Sequence, residues 1–306
     1  MTLEHGEGGA RETTDDRRDC PFCPGMERDT PNEVFAVRDQ GSARDGPGWR
    51  LRVVPNKFPA VRPDAPTAFG FHELIVETER HVSDPTALTD DECARLLVTY
   101  RDRWTALHAQ PGIRSATIFK NVGSEAGASL AHAHSQIVAT PFDSAPQALK
   151  RDRAEAYRVK HGRSLWADHL TEAEAGGRVV KATAHFALLA AFAPRMSGEL
   201  LLVPRFDVAD FGATSDEMLR ECSLLLKAGA TALDRAFHRP AYNWWLHAAP
   251  PGTKPDAFRW HFEILPRTAR IAGFEWASDC FIVAVSPEAA AARLRSRLPT
   301  SVPRRT

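Results

Sequence analysis

The chain runs to 306 residues, 43% of them apolar, enough to bury a core in two domains or in one continuous sheet built from two copies. Its 39 Lys and Arg balance 39 Asp and Glu, so it lacks the broad cationic field that a nucleic-acid polymer needs. No apolar run approaches a membrane span and the charged N-terminus has no signal-peptide core, so a cytoplasmic protein that binds neither membrane nor nucleic acid is expected.

Residues 1–18 are polar and charged and read as a loose tail. Cys20-Pro-Phe-Cys23 follows, with the spacing that lets two thiolates hold one tetrahedral zinc. The remaining cysteines, Cys93, Cys222 and Cys280, are scattered, so histidines must complete the set, and a redox pair or two unrelated buried thiols is the competing account. His81 and His132 are the candidates. His81 is preferred to His72 because it lies just past a strand expected at 73–78, where a loop side chain can turn toward a metal. Strands are also expected at 51–54, 115–120 and 135–139, with a helix from Asp90 to about Ala109 opened by the capping-box pattern Thr89-x-x-Glu92. Residues 146–178 read as helix and connection, with Trp166 and His169 as packing residues. Strands resume near Phe186, Leu200, Tyr242, Trp260 and Phe281, with a helix from about Ser215 to Phe237 among them. These elements make an α+β fold with a mostly antiparallel sheet and flanking helices.

A weak internal repeat runs through this order. Glu73-Leu-Ile-Val resembles Glu199-Leu-Leu-Leu, Thr89-x-x-Glu92 resembles Thr214-x-x-Glu217, and His134 pairs with His261, at nearly constant offsets of 126, 125 and 127 residues. In the second copy Arg259 stands for His132, Asp207 for His81 and Glu263 for Gln136, and no Cys-x-x-Cys precedes it. A second metal at His247 and His261 is disfavoured, because Arg259 brings a fixed charge where a ligand is wanted.

The most informative stretch is Asn121-Val-Gly123-Ser-Glu-Ala-Gly127-Ala-Ser129-Leu-Ala-His132-Ala-His134-Ser-Gln136. In an extended strand alternate side chains share a face, which aligns His132, His134 and Gln136. Ahead of them, Gly123, Gly127 and Ser129 can bring backbone N–H groups and a hydroxyl to an anion, so a nucleotide phosphate is the expected guest. Two half-buried, merely hydrogen-bonded histidines are the bland account of the same residues.

Cys20-x-x-Cys23, the run Val54-Pro-Asn56-Lys-Phe58-Pro-Ala60, the segment from Glu73 to His81 and the stretch from Asn121 to Gln136 together resemble the galactose-1-phosphate uridylyltransferase family of the histidine-triad (HIT-like) superfamily, over most of the chain. The resemblance implies two tandem HIT-like units: a catalytic half with a zinc site at 19–145, a connection at 146–180, and a degenerate half at 181–306 that keeps a structural and substrate-pocket role. It implies His134 as nucleophile with Gln136 beside it, a structural zinc on Cys20, Cys23, His81 and His132, contacts of Asn56 and Phe58 with base and ribose, and contacts of Asn121, Gly127 and Ser129 with the phosphates. It implies a homodimer, too. The segment from Ala272 to Val283, with Glu275, resembles the part that reaches a sugar phosphate across the dimer interface. The expected activity is exchange of a nucleoside monophosphate, UMP first, between a nucleoside diphosphate sugar and a sugar 1-phosphate. Three departures stand out: Ala133 where proline is common, Lys57 where some members carry an acidic ribose contact, and an amide side chain missing toward the end of the C-terminal segment. The last motivates the alternative of a phosphorylase, or of a transferase with a different small-metabolite acceptor.

Overall fold

A computed structural model describes residues 20–299. The tail expected at 1–18 lies outside the described residues, as do the final residues of the second copy.

The strands are β1 (Phe35–Arg38), β2 (Trp49–Pro55), β3 (Phe71–Val76), β4 (Ser115–Val122), β5 (His134–Thr140), β6 (Val179–Ala182), β7 (Phe186–Ala190), β8 (Leu200–Pro204), β9 (Tyr242–His247) and β10 (His261–Pro266). The helices are α1 (Asp90–His108), α2 (Ala145–His161), α3 (Leu165–Ala175), α4 (Asp216–Ala236), α5 (Gly273–Ser278) and α6 (Pro287–Arg295). All ten strands join one sheet in the order β1-β2-β3-β5-β4-β9-β10-β8-β7-β6, with antiparallel neighbours throughout. Read outward from its centre, the order is the same in each direction: β4-β5-β3-β2-β1 on one side and β9-β10-β8-β7-β6 on the other. β4 and β9 close the seam, with Asn121 opposite Asn243.

Alternation explains which way each strand faces. In β4, Ile118 and Val122 are buried while Thr117, Phe119 and Asn121 are partly exposed; β5 alternates likewise after His134 and Ser135. The buried set meets α1 and α4, which pack against each other and share one apolar core running from Leu51 to Leu294, with Trp104, Trp244 and Trp260 fully enclosed. Each such ring contributes roughly 1.5–3 kcal/mol by leaving water.

The capping box at Thr89 forms as expected: its hydroxyl accepts from Glu92 N–H while Glu92 accepts from Thr89 N–H. The second helix start differs. Ser215 caps α4 through Met218 N–H, and the Thr214 hydroxyl is buried without a hydrogen-bond partner. No strand forms at Phe281; the segment after β10 holds the short α5 and then irregular chain. β1 and β6, the outer strands, were not expected, and both are only four residues long with little apolar alternation to mark them.

Candidate nucleotide-transfer site

Beyond β4 the backbone turns sharply. Gly123 and Gly127, both at φ 87°, bracket a single 3-10 turn at Ser124–Ala126. A side chain at either position would meet the left-handed penalty of roughly 1–2 kcal/mol. Asn121 Nδ2 donates to Gly127 O at 3.2 Å, closing the loop on itself. Asn243, from β9, braces it from the other half: its Nδ2 lies 2.8 Å from both Asn121 Oδ1 and Ala126 O, and Arg267 Nε holds its Oδ1 at 3.0 Å. A cleft of about 110 Å³ opens there, lined by Asn121, Gly123, Ser129, His132 and His134 and also by Ser83, Asp84 and Arg239.

His134 is 7% exposed. Its Nδ1 donates to the carbonyl of His132 at 2.8 Å, so the lone pair belongs to Nε2. Burial pushes its pKa below the usual imidazole value, which keeps the ring neutral. Phe22 packs an edge against the ring, 5.3 Å between centroids. Beneath the strand, on the helix side, lies a buried ionic network that the sequence reading missed. Lys120 and Glu77, with side chains 1% and 0% exposed, pair at 2.7 Å, and Lys120 also donates to His134 O at 3.0 Å. Ser135 donates to Glu77 and bonds Tyr100 OH. The signal was present: Lys120 occupies an inward position between Ile118 and Val122, where a cation is tolerated only with a partner.

Gln136 projects on the same side of β5 as His134 and meets His72 of β3, whose Nε2 is 2.8 Å from Gln136 Oε1. The weighing of His72 against His81 as a metal ligand left this contact unforeseen. Asn56 sits beside it, with Nδ2 3.1 Å from His72 Nε2 and Oδ1 accepting from Phe58 N–H at 2.9 Å. Phe58 is 84% exposed. Ser129 and Gly127 are exposed on the loop. Glu275 is not among the residues of the cleft; its carboxylate caps its own helix through Ala272 N–H at 3.0 Å.

Cys20, Cys23, His81 and His132 converge, with their ligand atoms all within 4.8 Å of one another. His132 lies in the bend just before β5 rather than in the strand with His134 and Gln136. Its Nε2 donates to Thr78 O at 2.8 Å, which turns Nδ1 toward both sulfurs. Burial pushes its pKa down to about 4, so the lone pair is available. Two thiols and two imidazoles, one oriented by a backbone carbonyl, fit a tetrahedral zinc.

A second group, His247, His261 and Glu263, also lies within 4.8 Å. These residues do not fit a metal, for a reason other than the one expected. Arg259 is turned away and pairs with Asp207 at 2.7 Å. It is Lys150, from α2, that brings its ammonium 2.9 Å from Glu263 and 3.1 Å from His247 Nε2, while the Trp245 indole N–H also donates to that nitrogen at 2.6 Å. Arg195 takes the other oxygen of Glu263. The cluster is already neutralised by resident cations.

With this geometry in place, comparison with known proteins is specific. The chain is 28% identical to ADP-glucose phosphorylase of Arabidopsis thaliana over 293 residues, covering 90% of this chain and 81% of that protein. It is 25% identical to galactose-1-phosphate uridylyltransferase of Thermotoga maritima over 302 residues, covering 91% and 89%. The crystal structure of an Arabidopsis thaliana ADP-glucose phosphorylase with bound ADP-glucose superposes with a TM-score of 0.82 at 28% identity, covering 93% of this chain and 92% of that one. Residues 68–304 match the family described as Domain of unknown function (DUF4921), and the chain belongs to that family, within the wider group of galactose-1-phosphate uridylyltransferase-like proteins.

Proposed function

We propose that the protein is a nucleotidyltransferase that carries a nucleoside monophosphate, uridylate first, from a nucleoside diphosphate sugar to a sugar 1-phosphate by way of His134. The observation that carries this proposal is the fixed tautomer of His134: Nδ1–H is held by the His132 carbonyl and the Nε2 lone pair is left beside the glycine loop. Nε2 attacks the α-phosphorus, the bond to the bridging oxygen breaks, and its electron pair leaves with the sugar 1-phosphate. An oxygen of the acceptor phosphate then attacks the same phosphorus and returns the pair to Nε2. Gln136 and the loop amides near Ser129 stabilise the non-bridging oxygens. Asn121 and Gly127 shape that loop, and Asn56 and Phe58 border the nucleoside. Zinc on Cys20, Cys23, His81 and His132 ties the N-terminal segment to the catalytic strand and takes no part in the transfer. Reduced thiolates suit the cytoplasm.

The functional unit is a homodimer in which Glu275 serves the partner's pocket; Phe274, Trp276 and Ile282, all exposed in one chain, support that assembly. A second acceptor, inorganic phosphate, is favoured by two observations. The phosphorylase relative matches along 90% of this chain, and the segment around Glu275 lacks an amide toward its end.

Intact mass after mixing with UDP-glucose, or with ADP-glucose, and no acceptor is expected to show one added nucleotide, absent in His134→Ala. Metal analysis is expected to give about one zinc per chain, lost in Cys20→Ser. Sugar phosphates should then discharge the adduct as nucleotide sugar. Release of nucleoside diphosphate by inorganic phosphate alone would select the phosphorylase, and a wild-type protein that never gains mass would refute both.

A further inference from the structure

We propose that His72 is a positioning residue that aims Gln136 at the transferred phosphate, an inference resting on the nucleotidyl-transfer function above.

The orientation follows from counting protons. Ala60 N–H reaches His72 Nδ1 at 3.1 Å, and a backbone N–H can only donate, so Nδ1 carries a lone pair. A neutral imidazole has one proton, which must then sit on Nε2, 2.8 Å from Gln136 Oε1; the Asn56 Nδ2, 3.1 Å from Nε2 and 3.5 Å from Nδ1, is too near both nitrogens to lie on the Nε2–H axis and rests over the ring face. A donor on Nε2 requires the oxygen of the glutamine amide, and the NH2 end is left to face a ligand. Burial holds His72 below the usual imidazole pKa, against the pull of the Gln136 bond, and so preserves the single-proton form. The ring itself is clamped, since its backbone carbonyl accepts from Asn56 N–H at 2.8 Å on one side and Ala60 closes on Nδ1 at the other.

The chemistry needs this choice. A phosphate oxygen accepts hydrogen bonds and never donates when ionised, so the NH2 end of Gln136 stabilises it and the carbonyl end repels it. Both ends of an amide are nearly the same size, and only a neighbour of fixed polarity sets which one faces the phosphorus. His72 is that neighbour. It touches no reacting atom in this arrangement, which makes it a positioning group acting through Gln136.

Two measurements test the proposal. In protein carrying ¹⁵N-labelled histidine, the His72 signal is expected to be that of the Nε2–H tautomer; an Nδ1–H tautomer would overturn the assignment whatever the activity. In rapid-quench experiments with saturating labelled nucleotide sugar, His72→Phe is expected to slow transfer onto His134 by about 10- to 100-fold, as misplacing a donor does while outright loss of one costs about 100- to 1,000-fold. Donor affinity should stay within about threefold. His72→Gln, which keeps an N–H donor, should recover part of the rate, and recovery of none of it would count against the proposal. In the Gln136→Ala background the same His72→Phe change should do nothing further, because its route of action is gone. Losses that multiply in the double variant would overturn the proposal. Should His72→Phe fail to fold, the cycle is run with His72→Gln. A wild-type protein that never takes up nucleotide would sink the proposed function, and the tautomer measurement would still decide the orientation of Gln136.

Discussion

Lys120 and Glu77 are two charges shut off from bulk solvent, held under the backbone of His134. Removing one leaves the other stranded, which typically costs about 3–5 kcal/mol, whereas removing both leaves two neutral groups of similar shape. Lys120→Met should therefore lower stability far more than Lys120→Met combined with Glu77→Gln, and urea titrations of the two variants check this; equal losses would mean the pair does not act as a unit. Such residues mark what a sequence can and cannot disclose. His134 and Gln136 were legible as a pair because their relation is local, two positions apart on one strand, and the grouping of Cys20, Cys23, His81 and His132 was legible from spacing and from resemblance. The partners of His72 and Lys120 were not, since they lie 64 and 43 residues away and become neighbours only when β3 pairs with β5 and β5 with β4. Glu275 offers the reverse case: its place in the family pattern gave it a ligand, while within one chain its carboxylate is taken up by its own helix.

At the scale of the element, α1 illustrates how a single carboxylate serves several groups. Burial would raise the pKa of Glu92, but hydrogen bonds from Arg80, Thr78 and Thr89 N–H draw it down to about 2, from 4.5. A depressed carboxylate stabilises the fold above its unfolded pKa and loses that contribution as pH falls through the folded value. Glu92→Gln should accordingly be less stable than wild type by about 1 kcal/mol or more near pH 7, the size of a lost cap. The gap should narrow between pH 4.5 and about 2. Denaturant midpoints across that range test it, and a gap independent of pH would show that charge is not what matters at this position. The helix itself was readable from its capping pattern. The start of α4 was misplaced by one residue because Thr214 and Ser215 are both good caps, and burial of Thr214 leaves the exposed serine to cap the helix.

The described residues form one sheet, and the largest apolar core is drawn from both repeats, so heating should give a single cooperative transition by calorimetry; two resolved transitions would mean that the halves fold separately. The repeat was visible in three evenly spaced landmarks. The seam between β4 and β9 was not, because nothing in either copy alone names its partner. That seam carries Asn243, and Asn243→Ala should free Asn121 and the Ala126 carbonyl and slow nucleotide uptake by about tenfold or more through misplacement of the loop, with His134 untouched. An unchanged rate in a well-folded variant would leave the second repeat without influence on the first. The two repeats also answer a question about order of events. His261 donates Nδ1–H to the carbonyl of Arg259 at 3.0 Å, the same posture as His134 on His132, although its repeat has an arginine–aspartate pair in place of the cysteine–histidine set. A ring that adopts this pose in a repeat without that ligand set owes it to the way the chain enters the strand. The Nε2 of His134 is thus presented by main-chain geometry, and a chelator that removes the zinc proposed above should loosen the scaffold well before it slows the transfer proposed for that nitrogen.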